Sequence, residues 1–92
     1  MLNVFIDPVA TGKNIKKFRK AKKIKVKEIA KMLGLYSVIP VYNWENGENL
    51  PRLDNFFALC KILDVNPMDI CVFYDSEYAK QLEKILKGGK NE

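Results

Sequence analysis

Apolar residues in this 92-residue chain recur three and four positions apart, in short runs that glycine, proline or asparagine cuts off early. That pattern favours short amphipathic helices over long helices or a large sheet. Ile15, Phe18 and Ala21 keep helical spacing with only polar residues between them. Ile29, Ala30 and Leu33 form a second stripe, followed by Gly34, a natural residue for the left-handed turn after a helix. Val41 and Trp44 precede Asn46-Gly47, and Phe56, Phe57, Leu59, Cys60 and Leu63 follow Pro51. Tyr78, Leu82, Ile85 and Leu86 make a last stripe, ended by Gly88-Gly89. No run approaches the roughly 20 apolar residues of a membrane span.

The flanking residues predict where these helices start and stop. Thr11 is a plausible N-cap for a first helix reaching residue 21 or 22. A second helix covers about residues 26–33, a short third ends before Asn46-Gly47, and a fourth runs over residues 53–63. Asn66-Pro67-Met68-Asp69 supplies an N-cap, a proline at N1 and an acidic N3 for a fifth helix to about residue 73. Asp75 or Ser76 can cap the last one. Ahead of all this, Leu2, Val4 and Ile6 alternate like a short edge strand, with Asp7-Pro8 as a turn. Such a strand needs a partner, either on its own domain or in a second chain. The expected organisation is an all-α domain over residues 11–73, an N-terminal arm over 1–10, and an amphipathic helix with a polar tail over 74–92.

Charge is segregated along this framework. The net charge is +5, yet residues 1–31 hold ten basic and two acidic side chains, a surplus of eight, leaving the remainder mildly acidic. Lysines dominate: Lys13, Lys16, Lys17, Lys20, Lys22, Lys23, Lys25, Lys27 and Lys31, with Arg19 among them. A basic block on two adjacent helices points to a polyanion, nucleic acid first, or to a face that merely confers solubility.

Several function classes fall away. There is no histidine, the commonest general base and metal ligand, and the two cysteines, Cys60 and Cys71, cannot make a zinc site alone. Both cysteines occupy apolar helix positions, and no carboxylate pair lies in an apolar setting. The N-terminus has no basic segment ahead of an apolar one, so it is not a signal peptide. These features predict a cytoplasmic protein that is not an enzyme and needs no metal or cofactor.

Residues 13–73 resemble the Xre/Cro-repressor type of helix-turn-helix domain. The resemblance is carried by Ile15 to Arg19, by Ile29-Ala30 with Leu33-Gly34, by Trp44-Glu45-Asn46-Gly47 with Pro51, and by the stretch from Leu53 through Asn66-Pro67 to Ile70. It implies a five-helix, Cro-repressor-like fold with the arm and the C-terminal helix as additions. It also implies a transcriptional regulator, a repressor in the first reading, that places its third helix in the major groove of double-stranded DNA as a homodimer. In that family the residues matching Arg19 and Glu45 pair to tie helix one to the end of helix three.

By the same resemblance, the base-reading positions are Val38, Ile39, Tyr42 and Asn43, where Asn43 can read adenine through two hydrogen bonds. Lys25 and Lys27, at the start of helix two, are expected phosphate contacts. Ser37 is read as a helix cap before a DNA contact, Asn46 as part of a loop near the phosphates, and Arg52 as a reach to the backbone or minor groove. The turn after Gly34 is one residue longer than the common pattern, as in some clostridial-type regulators. Pro40 leaves two starting points for helix three, after Ser37 or at Pro40 itself. The predicted dimer contact is the stripe Tyr78, Leu82, Ile85 and Leu86, with the arm as an accessory. The alternative is a helix that packs the stripe back on its own core. The competing function is a protein-interaction module, such as the antitoxin of a toxin–antitoxin pair, in which the apolar Val38, Ile39 and Tyr42 face a protein partner.

Overall fold

A computed structural model describes residues 5–74 together with residues 84 and 85. Asp7 is extended, and its carboxylate accepts from the backbone N–H groups of Val9 and Ala10, at 3.0 and 3.1 Å. It is therefore the N-cap of helix α1 (Pro8–Ala21), and Pro8 occupies a first-turn position that has no hydrogen bond to lose. Asp7-Pro8 opens the helix instead of making a separate turn. Thr11, expected as the cap, is buried inside the helix, where its hydroxyl accepts from the Val72 N–H at 3.0 Å.

Four more helices follow: α2 (Val26–Met32), α3 (Ile39–Glu45), α4 (Leu53–Leu63) and α5 (Pro67–Ile70). The α2–α3 connection begins at Gly34, whose φ of +69° lies in the left-handed region that costs a glycine nothing. Helix α4 has the expected bounds. Helix α5 is capped as expected, by the Asn66 carboxamide oxygen accepting from the Met68 N–H at 2.9 Å, but it stops at Ile70. The chain turns extended at Cys71 because the next residues are taken by a strand. That strand, β2 (Phe73–Tyr74), pairs antiparallel with β1 (Phe5–Ile6), and Asp7 N–H adds a 2.7 Å bond to the Val72 carbonyl. The arm thus finds its strand partner on its own domain.

Ile15, Ile29, Val41, Leu59, Leu63 and Ile70 are fully buried at the centre, one or more from each helix. Each such side chain stabilises the fold by about 1.5–3 kcal/mol through the hydrophobic effect. Trp44 and Ala30 complete the contact between the helices of the motif. Two apolar residues depart from the stripe reading: Ala21 is exposed, and so is Phe57. Neighbours on a helix point about 100° apart, so Phe56 enters the core while Phe57 packs edge-on against its ring at 5.7 Å.

Two glycines set how closely α1 meets the end of α3. A Cβ on Gly12 would lie 2.2 Å from the Trp44 carbonyl oxygen and 2.9 Å from that of Glu45. Only a glycine lets α1 pass this close. Gly47, just beyond α3, has φ +79° and packs so tightly on Val9 that a Cβ would meet its Cα at 2.8 Å. Asn14 completes the frame by donating to the Ile70 carbonyl at 2.9 Å.

Candidate nucleic-acid interface

Among the described residues, one buried ion pair organises the candidate site. Arg19 donates from Nε to Glu45 Oε2 at 2.6 Å and from Nη2 to Oε1 at 3.0 Å, while Nη1 donates to the Ile24 carbonyl at 3.0 Å. The side chains are only 11% and 3% exposed. The bonds from Glu45 push the Arg19 guanidinium above its ordinary range, against the opposing effect of burial. The fork locks three things together: the α1 helix, the α1–α2 turn at Ile24, and the last residue of α3.

Around it opens a cleft of about 560 Å³, with Lys16 from α1, Lys25 and Lys27 from the start of α2, and Val38, Tyr42 and Asn46 from the α3 region. Five of the nine expected DNA-contact residues therefore meet at one place: Lys25, Lys27, Val38, Tyr42 and Asn46. Lys16 joins them although the charge pattern did not separate it from its solvated neighbours. The available signal was its position three residues before Arg19, which puts both on one face of α1. Lys25 and Lys27 are exposed, but Glu28 folds back so that its carboxylate accepts from the Lys25 N–H at 2.8 Å. At this helix start the free positive charge is thus carried by the two ammonium groups more than by the backbone.

The remaining residues divide by geometry. The Ser37 hydroxyl accepts from the Ile39 N–H at 3.3 Å, but the N-cap of α3 is Val38, and Ser37 stands one residue ahead of it. Helix α3 begins at Ile39, between the two starting points considered, and Pro40 falls in its first turn without breaking a bond. Val38 is half-buried against the core, so it has little surface to offer. Ile39 is 58% exposed and Tyr42 47%, while Asn43 is half-buried. Ile39, Tyr42 and Asn43, spaced i, i+3 and i+4, share one side of α3. Arg52 stands apart from the cleft as the extended residue before α4, in an exposed pair with Asp54 at 3.5 Å. Tyr78, Leu82 and Leu86 lie outside the described residues; Ile85 is 58% exposed.

Burial pushes the Cys60 thiol up to about 11 and raises that of Cys71 as well, a direction that disfavours the reactive thiolate. Among the described residues there is no cluster of three potential metal ligands, and no helix is long and apolar enough to cross a membrane.

Comparison with known proteins settles the ancestry of this arrangement. The helix-turn-helix family model matches residues 15–70, from Ile15 in the middle of α1 to Ile70 at the end of α5. The chain belongs to the Xre/Cro type of helix-turn-helix family. This helix-turn-helix chain is similar in structure to the restriction-modification controller protein C.AhdI from Aeromonas hydrophila (TM-score 0.63, 28% identity, covering 70% of this chain and 96% of that one). It is also similar to the P22 c2 repressor, solved in complex with a synthetic operator (TM-score 0.61, 33% identity, covering 65% and 89%). The clp gene regulator ClgR from C. glutamicum shares the fold at 21% identity, with a TM-score of 0.59 over 66% and 78%. No curated protein is significantly similar in sequence.

Proposed function

We propose that this protein is a DNA-binding transcriptional regulator, acting as a repressor, that lays α3 in the major groove and binds as a homodimer. The observation that carries the reading is the convergence of Lys16, Lys25 and Lys27 on one cleft beside the exposed side of α3, within a helix-turn-helix fold. The ammonium groups suit the phosphates flanking the groove, and the α3 side chains suit base edges. The P22 c2 repressor, a third identical over its match, was solved with operator DNA bound.

For the dimer we favour the C-terminal stripe of Tyr78, Leu82, Ile85 and Leu86. The exposure of Ile85 is consistent with a contact that a second copy completes. The N-terminal strand is less suited, because Phe5 and Ile6 already pair with Tyr74 and Phe73. A second reading, a protein-interaction module such as an antitoxin, draws support from the exposed apolar Ile39 and Tyr42. Selection of bound fragments from the host genome separates the two. The regulator reading expects fragments sharing a short inverted repeat with half-sites about 34 Å apart. Recovery of no enriched sequence contradicts it.

A further inference from the structure

The reading side of α3 carries an unusually narrow chemistry. From Ile39 to Glu45 the helix holds no Arg or Lys to reach guanine O6 and N7. Its one carboxylate, Glu45, is buried in the fork with Arg19 and cannot accept from cytosine N4. What remains is one amide, the half-buried Asn43, suited to adenine, and the exposed surface of Ile39 and Tyr42. The turn leading into α3 adds Tyr36, whose relative exposure reaches 109%, so the whole ring stands in solvent. Among the described residues, no polar partner accounts for that position. Tyr36 lies three residues before Ile39, in the lengthened turn that brings the chain to the start of the helix.

We propose that Tyr36 and Ile39 form an apolar edge that selects thymine by its 5-methyl group, with Asn43 reading an adenine nearby, so that the bound half-site is built of A·T pairs. The inference rests on the DNA-binding reading and specifies its ligand. Ile39 and Asn43 are one helical turn apart, about 6 Å along the axis, which is roughly two base-pair steps of about 3.4 Å. The two contacts thus fall on different pairs. Lys16, Lys25 and Lys27 hold the phosphates without regard to sequence, leaving discrimination to these few groups.

The test uses the full chain and the duplex it binds most tightly from a random-sequence library. Each thymine is replaced in turn by deoxyuridine, which removes the methyl and leaves the pairing edge intact. At one or two positions per half-site the affinity should fall about fourfold, the effect of exposing one buried methyl. In Ile39→Ala or Tyr36→Ala that penalty should shrink to near unity; both residues are exposed, and circular dichroism confirms that the variants fold. Duplexes that bind equally with and without the methyls overturn the inference while leaving DNA binding in place. So does a selected half-site of G·C pairs. A penalty that both variants retain in full overturns the assignment to these residues and turns them toward a protein partner. If no duplex is bound at all, the DNA-binding reading fails and this one fails with it.

Discussion

Arg19 and Glu45, 26 positions apart in sequence, meet in a two-pronged ion pair with bonds of 2.6 and 3.0 Å, in which Glu45 is almost wholly buried. The pair fixes the C-terminal end of α3 against α1, and thereby fixes the angle at which Tyr42 and Asn43 leave the domain. Removing one partner strands the other charge in a low-dielectric site. Glu45→Ala should destabilise the fold by about 3 kcal/mol, read from the midpoint of urea unfolding, and Glu45→Gln by less because it keeps an acceptor. A loss below about 0.5 kcal/mol for Glu45→Ala would mean that the pair is solvated and contributes little.

Gly12 offers a test of opposite sign to helix propensity. In an open helix, glycine to alanine stabilises by about 1 kcal/mol. Here the added methyl group meets the carbonyl oxygen of Trp44 at 2.2 Å, a backbone atom that cannot rotate away. Gly12→Ala should therefore destabilise by about 1–3 kcal/mol as α1 is pushed off α3. An unchanged or raised unfolding midpoint would show that the two helices do not approach this closely.

The Arg19–Glu45 pair could be expected from the family resemblance, whereas Gly12 marks a limit of what could be read from the sequence. Helix α4 was legible because its five apolar residues and its breakers are all local, and the α5 start because Asn66-Pro67 is a local cap. Gly12 was not, since nothing near it reveals that Trp44 passes overhead. Nor was the true start of α1. Asp7-Pro8 reads equally as a turn and as an N-cap with its N1 proline, and Thr11 was a rival cap until Val72 claimed its hydroxyl. The end of α5 depended on pairing between β1 and β2, across 66 intervening residues. Of the residues that line the cleft, Lys25, Lys27, Val38, Tyr42 and Asn46 are ones that the family resemblance had singled out. The half-burial of Val38 was not legible, because it follows from the way the longer turn enters α3.

The lysines at the start of α2 should act on every DNA sequence alike. Each phosphate contact removed lowers the slope of log K against log salt by about 0.9. Lys25→Ala with Lys27→Ala should flatten the slope by about 2 and weaken specific and nonspecific binding in equal proportion. An unchanged slope would place the phosphate grip elsewhere, on Lys16 and the other lysines of α1.

The C-terminal stripe should govern assembly without touching the reading side. A chain ending at residue 75 should run as a monomer in light scattering where the full chain runs as a dimer. Its affinity for an inverted repeat should fall toward that for a single half-site. A truncated chain that remains a dimer would move the contact onto the described domain.

In the proposed mode of binding, α3 reads sequence while the lysines around it hold the backbone. The most direct measurement is the ratio of affinities for the selected duplex and a scrambled one, taken at a single salt concentration for the wild-type chain and for Asn43→Ala. An adenine contact of this kind is worth about 1–3 kcal/mol of discrimination, so the ratio should fall by about 5- to 150-fold while scrambled-DNA affinity stays constant. An unchanged ratio would contradict the assignment of α3 as the reader.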